Sequence, residues 1–374
     1  MKTSIFSIRF FLGILSAFIL ILSCSDSDDE AMEMQEEVVS DTTSVVDDPP
    51  PPPPEEEEER TYLTDGVIVG DLTADIYYPS DYDSTRSYPI IYCNEGSNFG
   101  EVYGKLLSLE ASPFIMVGIE GSKSRAERFL PYFDPNLDPY EPKAEEYTLA
   151  IINELIPEVE SRYSVNDKKR AIFGISFSGI HATWAGIRYP EVFTFSAAFS
   201  PSYWVADNTI YGESTSQLKV EGFGARSTFY FDRGTSEWRS SLPMILTLQG
   251  GDLTYGRDIY YYEAIGGRHD TPSWSLRVEV PFRLFMEGSN KEIVSFDVNS
   301  YCVEENGSEQ GRINPIVTLA NNVVFSVMPL AEYEITSGSG DILSDGRYAL
   351  NSSTMTVEVS YEGFTSTVEL RSCN

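Results

Sequence analysis

The hexapeptide Gly174-Ile175-Ser176-Phe177-Ser178-Gly179 sets a serine among small residues directly after an apolar run. A serine hydroxyl becomes a nucleophile when a tight strand-to-helix turn projects it from the sheet and a neighbouring base takes its proton. Positions two before and two after the serine must be small; Gly174 meets this fully, and Ser178 is read as crowding a place that suits glycine. The search for the base is short, because the chain has two histidines. His181 is five residues on, along the same helix, where it points away from the hydroxyl and suits packing. His269, in the loop Gly266-Gly267-Arg268-His269-Asp270 after a predicted strand, is the better base. A carboxylate that orients the imidazole is expected between serine and histidine in sequence. Asp232 closes the predicted strand Thr228–Asp232, and Glu237 sits on the loop after it. Glu237 is preferred, with Asp232 open as the alternative or as a brace of the turn. An oxyanion would be held by the amide of Phe177 and one from the early loop 93–99, assigned to Gly96 within Glu95–Ser97.

These residues need a scaffold that brings strand ends together. Tyr88–Tyr92, Phe114–Ile119, Ala171–Ile175, Phe193–Phe199, Thr228–Asp232 and Ile259–Glu263 are short apolar runs rich in β-branched and aromatic residues. Amphipathic stretches such as Glu145–Tyr163 and Ser178–Tyr189 alternate with them, which predicts a mostly parallel sheet covered on both faces. After about Gly288 the pattern changes to closely spaced strands, Val294–Val298 through Thr365–Leu370, with Ser337-Gly338-Ser339-Gly340 among the turn signals. That is an all-β module of sandwich type, read as a spacer or sugar binder and similar in pattern to bacterial immunoglobulin-like domains. Cys302 and Cys373 bracket it and are a candidate disulfide; Cys93, ending an apolar run, is read as a buried inert thiol.

The front of the chain has a different composition. Met1–Ser23 has a basic start (Lys2, Arg9) and an apolar core, Ile14–Leu22, too short to span a bilayer, so it reads as a secretory signal. Ile21-Leu22-Ser23-Cys24 resembles a lipobox, which makes Cys24 a lipidated mature N-terminus and the membrane a partner. Residues 24–60 carry a polyproline run and Glu55–Glu59 with no aromatic residue, the composition of an extended tether. Without residues 1–60 the net charge falls from −32 to about −20, so the remainder is itself acidic and a nucleic-acid partner is excluded. No His/Cys clustering of metal-ligand spacing occurs, and neither a metal nor another cofactor is expected.

Residues from about Tyr62 to Glu287 resemble the esterase D and enterochelin esterase-like family, which includes feruloyl esterase domains. The resemblance rests on YPIIYCNEGS, FIMVGIEGSKSRAERF, ELIPEVESRYSVNDKKRAIFGISFSG, YPEVFTFSAAFSPSYW, YFDRGTSE and GGRHDTPSW in that order. It implies an α/β-hydrolase fold with Ser176, Glu237 and His269 as the catalytic triad; Ser178 is the departure from the family pattern. The domains are then signal peptide 1–23, tether 24–60, hydrolase 61–288 and all-β module 289–374. The expected activity is that of an exported, lipid-anchored serine esterase of the bacterial outer membrane, acting on an acetyl or feruloyl glycan ester or a siderophore lactone. The competing reading is a catalytically silent hydrolase scaffold used for binding. Trp204, Trp238 and Trp274 are candidate substrate contacts, and Arg125 and Arg128 are candidates for meeting an anionic substrate.

Overall fold

The computed structural model describes residues 61–374 except 98, 110–112, 211, 213–226, 238–240, 252, 291, 306–307 and 374. The signal segment, Cys24, the tether and Trp238 lie outside the described residues. An eight-stranded sheet in the order β1-β2-β4-β3-β5-β6-β7-β8 forms the main layer. Its strands are β1 Tyr62–Val69, β2 Leu72–Pro79, β3 Tyr88–Cys93, β4 Ile115–Ile119, β5 Val165–Ile175, β6 Phe195–Phe199, β7 Thr228–Gly234 and β8 Ile259–Ala264. From β4 and β3 through β8 every pairing is parallel, as the buried apolar runs require, while β1 and β2 join antiparallel at one edge. Their apolar runs, Val67–Val69 and Ile76–Tyr78, are only three residues long. In β1 only Val67 is fully buried, which is how an exposed edge strand reads.

Between the strands lie α1 Gly100–Leu107, α2 Arg125–Phe129, α3 Ala144–Ala150, α4 Ile156–Arg162, α5 Phe177–Arg188, α6 Leu242–Gln249, α7 Thr271–Arg277 and α8 Glu279–Glu287. The predicted helix over 145–163 is α3 and α4 joined through one π turn, Ile151–Leu155. Parallel strands deliver all their carboxyl ends to one rim, so the loops after β3, β5, β6, β7 and β8 meet there.

The C-terminal strands β9 Ile293–Glu305, β10 Ser308–Leu319, β11 Val324–Ser326, β12 Glu332–Ile342, β13 Arg347–Tyr361 and β14 Phe364–Arg371 form an antiparallel sheet. It branches: β9 and β11 flank β10, β12 and β14 flank β13, and Gly311–Arg312 pair with Arg347–Tyr348 to join the halves. Ile313, Met355, Val357, Val359 and Leu370 fill the space they enclose. Cys302 on β9 is disulfide-bonded to Cys373, with Cα atoms 5.6 Å apart. The Ser337–Gly340 stretch is no turn. It lies inside β12 as two register shifts, where glycine and serine let the strand bulge against β13.

The reading of this module as a spacer also gives way. Val317, Leu319, Val323, Phe325, Val327 and Met328 belong to the same buried cluster as the core of the eight-stranded sheet, and Phe325 packs edge-on against Tyr260 of β8 at 5.3 Å. Beside them Glu263 of β8, fully buried, lies between Arg233 of β7 (2.9 Å) and Arg312 of β10 (3.6 Å), both also buried. Asn314 donates to the Glu263 carbonyl at 3.1 Å. The module thus covers the edge strand β8 and supplies one cation to a buried ion cluster.

Candidate active site

The elbow is built by backbone strain. Ser176 has φ 59° and ψ −115°, a left-handed conformation costly for a residue with a side chain, held because its N–H donates to Phe199 O at 2.9 Å. Gly174 is required here: a Cβ at that position would stand 1.9 Å from Ser178 O. Phe177 then opens α5, so its amide is among those a helix start leaves without an internal acceptor. Ser176 Oγ lies 3.2 Å from Ser202 Oγ, and Ser202 N–H donates to Ser176 O at 3.2 Å.

Ser178 does more than fit. Its Oγ accepts from Ile175 N–H at 2.9 Å, and its one proton has two acceptors at 2.9 Å, Glu95 Oε2 and Ile175 O. Glu95, itself at φ 58°, is held by Arg125 through two bonds of 2.6 and 2.8 Å, and Arg125 lies 5.6 Å from the centre of the Phe177 ring. Arg125 is therefore paired within the protein, and Arg128 donates to Glu120 O at 2.9 Å and stacks on Tyr147. Gly96 differs from expectation too: its N–H closes a turn onto Cys93 O at 3.3 Å. The Glu95 amide, one residue earlier, has no acceptor among the described residues, and it is the better donor for an anion.

On the other side, Glu237 Oε2 lies 3.1 Å from His269 Nδ1, while Oε1 accepts from Gly234 N–H at 2.7 Å and Ser200 Oγ at 2.8 Å. Burial works against ionising Glu237, but these bonds outweigh it and hold its pKa below the ordinary value. With Nδ1 on the carboxylate, His269 Nε2 is the nitrogen left for a hydroxyl proton; no hydrogen bond joins Ser176 to His269 among the described residues. The two loops touch at Gly234 and Gly267, where a Cβ on Gly234 would fall 2.0 Å from Gly267 backbone atoms. Asp232 takes the bracing role: it accepts from Ser200 N–H at 3.0 Å and pairs with Arg277 Nε at 3.0 Å. Complete burial pushes its pKa up to about 6, with the Arg277 guanidinium pulling the other way.

His181 is away from this chemistry. Burial lowers its pKa to about 3, and the neutral ring sits between Asn94 Nδ2 (3.0 Å from Nδ1) and Thr148 Oγ1 (2.8 Å from Nε2). Asn94 Oδ1 accepts from Tyr147 OH at 2.9 Å, so the network is satisfied and anchors the residue before Glu95.

Trp274 meets the His269 ring edge-on at 5.1 Å and donates to Ser200 Oγ at 2.9 Å; Trp204 lies 6.2 Å from Phe177. Trp274 also walls a cavity of about 270 Å³ between the sheet and helices α1 and α7, bordered by Ile175, Phe199, Asn94 and Leu106. Ser200, Ser202 and Arg277 escaped the sequence reading. Ser200 and Ser202 carried a signal, the stretch Ser200-Pro201-Ser202 directly after a strand, and Arg277 carried none.

Residues 67–274 match the model of the Putative esterase family, more than half of the chain. The chain belongs to that family. An uncharacterized protein YbbA of Bacillus subtilis (strain 168) is 24% identical over 147 residues, 36% of this chain, which spans 58% of that relative's length. Among solved structures, the BES protein of Bacillus cereus is similar at TM-score 0.48 and 16% identity, over 67% of this chain and 99% of that one. Siderophore hydrolase EstA of Aspergillus nidulans (TM-score 0.47, 17% identity, 63% and 97%) and a ferulic acid esterase (0.46, 17%, 62% and 99%) are also similar.

Proposed function

We propose that the protein is a serine carboxylesterase with Ser176 as nucleophile, His269 as base and Glu237 as the orienting acid. The observation that carries the reading is the Glu237–His269 contact on loops adjoining a serine held at positive φ. Ser176 Oγ attacks the ester carbonyl as His269 Nε2 takes its proton, and Glu237 fixes the tautomer and stabilises the imidazolium. The tetrahedral oxygen anion is met by the amides of Phe177 and Glu95, near the positive end of α5. The imidazolium then protonates the leaving alcohol, and water activated by the same histidine releases the acid from Ser176. A fluorophosphonate probe should label the protein, and labelling should vanish in Ser176→Ala together with p-nitrophenyl acetate turnover. Absence of both in the wild type would overturn the assignment.

The same proposal includes export and acylation at Cys24 in the bacterial outer membrane, on the lipobox-like sequence. A glycan ester suits that setting, and a siderophore lactone suits the family. Palmitate incorporation that persists in Cys24→Ala would count against the anchor.

A further inference from the structure

We infer that the cavity between the sheet and helices α1 and α7 is the acyl site, and that it selects esters of straight aliphatic acids of intermediate length. This rests on the serine esterase reading. Its walls run up to the site: they include Ile175, which directly precedes Ser176, and Thr271 and Trp274, which follow His269 on α7, with Trp274 against the imidazole. An acyl group on Ser176 can therefore enter between Trp274 and the end of β5.

The chemistry of the walls decides the acyl class. Ile91, Met116, Leu106, Phe173 and Phe199 are apolar. Asn94, a polar wall residue, is engaged through both side-chain atoms by Tyr147 and His181. The Cys93 thiol is kept protonated by burial, which raises its pKa to about 12. Glu101, exposed, puts a negative charge at the rim. Of the other polar wall residues, Glu101 and Thr271 are exposed and Ser275 is half-buried; a phenolic hydroxyl carried past them, against Ile91, Met116, Phe173 and Phe199, would give up water without a replacement partner, at a cost of roughly 1–3 kcal/mol. A carboxylate would meet Glu101 and find no cation. A saturated chain gains about 0.8 kcal/mol for each methylene buried. The volume, about 270 Å³, is just below the roughly 300–1,000 Å³ of drug-sized ligand pockets and suits a slim chain of intermediate length better than a bulky ring system.

The test is a series of p-nitrophenyl esters from acetate to decanoate, with methyl ferulate and a monosuccinate ester, on the full chain. The expected kcat/KM rises about fourfold per methylene up to hexanoate or octanoate. Val102→Trp, which narrows the cavity from α1, should lower the hexanoate-to-acetate ratio at least tenfold, and Leu106→Ala should move the optimum to longer chains. A series that is flat or falls from acetate, a feruloyl ester that outruns hexanoate, or ratios unmoved in both variants overturns the acyl site. In those cases fluorophosphonate labelling of Ser176 remains and the esterase reading stands. Loss of labelling and of all ester turnover in the wild type removes the esterase reading and this inference with it.

Discussion

The two flanks of Ser176 are held by charges in opposite settings. On the flank proposed to hold the oxyanion, called the oxyanion flank, Glu95 and Arg125 are partly solvated, with side chains 21% and 40% exposed. On the acid flank, Asp232, Arg277, Arg233, Glu263 and Arg312 are at most 4% exposed. Exposed pairs contribute about 0–1 kcal/mol, whereas removing one member of a buried pair costs about 3–5 kcal/mol because the other charge is stranded. The acid flank is thus a rigid mount that tolerates little change. The oxyanion flank is adjustable.

The largest effect should follow from striking the acid itself. Glu237→Gln keeps the shape but loses the charge that fixes His269, and kcat should fall on the order of 10⁴-fold. A drop of less than tenfold would return Asp232 to the role. Next comes Glu263→Met, remote from Ser176 and at the seam with the C-terminal sheet. With the carboxylate gone, the buried guanidinium groups of Arg233 and Arg312 lose the charge between them, which should cost roughly 3–5 kcal/mol in urea unfolding, and a loss under 1 kcal/mol would mean that the cluster is not a mount at all. Truncation at residue 289 should give insoluble protein, because β8 and its charged cluster lose their cover.

The His181 network offers an intermediate effect beneath the oxyanion flank. A histidine whose folded pKa is about 3 binds fewer protons folded than unfolded, so its contribution is complete above about pH 6.5 and declines as pH falls toward 3. Between pH 7 and pH 5 the wild type should lose about 2 kcal/mol more stability than His181→Gln. Asp232, whose raised pKa acts in the opposite direction, is common to both proteins and cancels. Equal losses would show that burial of the ring is not what sets its protonation. The smallest effect belongs to Ser178→Gly. Removing the hydroxyl leaves Ile175 N–H without its acceptor and loosens Glu95, for about 1 kcal/mol and a several-fold fall in kcat. Turnover equal to or above wild type would mean that crowding, not clamping, is what Ser178 contributes.

The contrast between flanks also explains what the sequence disclosed. Parallel strands were legible because burial on both faces leaves unbroken runs such as Tyr88–Cys93. Ser176, Glu237 and His269 could be singled out as candidates because each follows such a strand. The exposed edge strand β1 has no such signature, and Ser178 looks like a flaw until Glu95, 83 positions away, is placed beside it. Ser200 was invisible as a hub, since its four partners, Asp232, Glu237, Trp274 and Arg277, converge only when three loops close. Arg312 lay in what read as a separate module, and nothing local marks an arginine that will be buried.

The bond between Cys302 and Cys373 has a consequence for how the protein wears out. It closes a loop with a sequence separation of 71 residues that contains Arg312 and most of the C-terminal sheet. A protease cut anywhere inside that loop leaves both pieces covalently attached, so β10 stays on β8 until a reductant acts as well. Nicked molecules should therefore run as two bands only on reducing gels while keeping the C-terminal sheet in place, so that the protein's lifetime under proteolysis is set by redox conditions as well as by cutting.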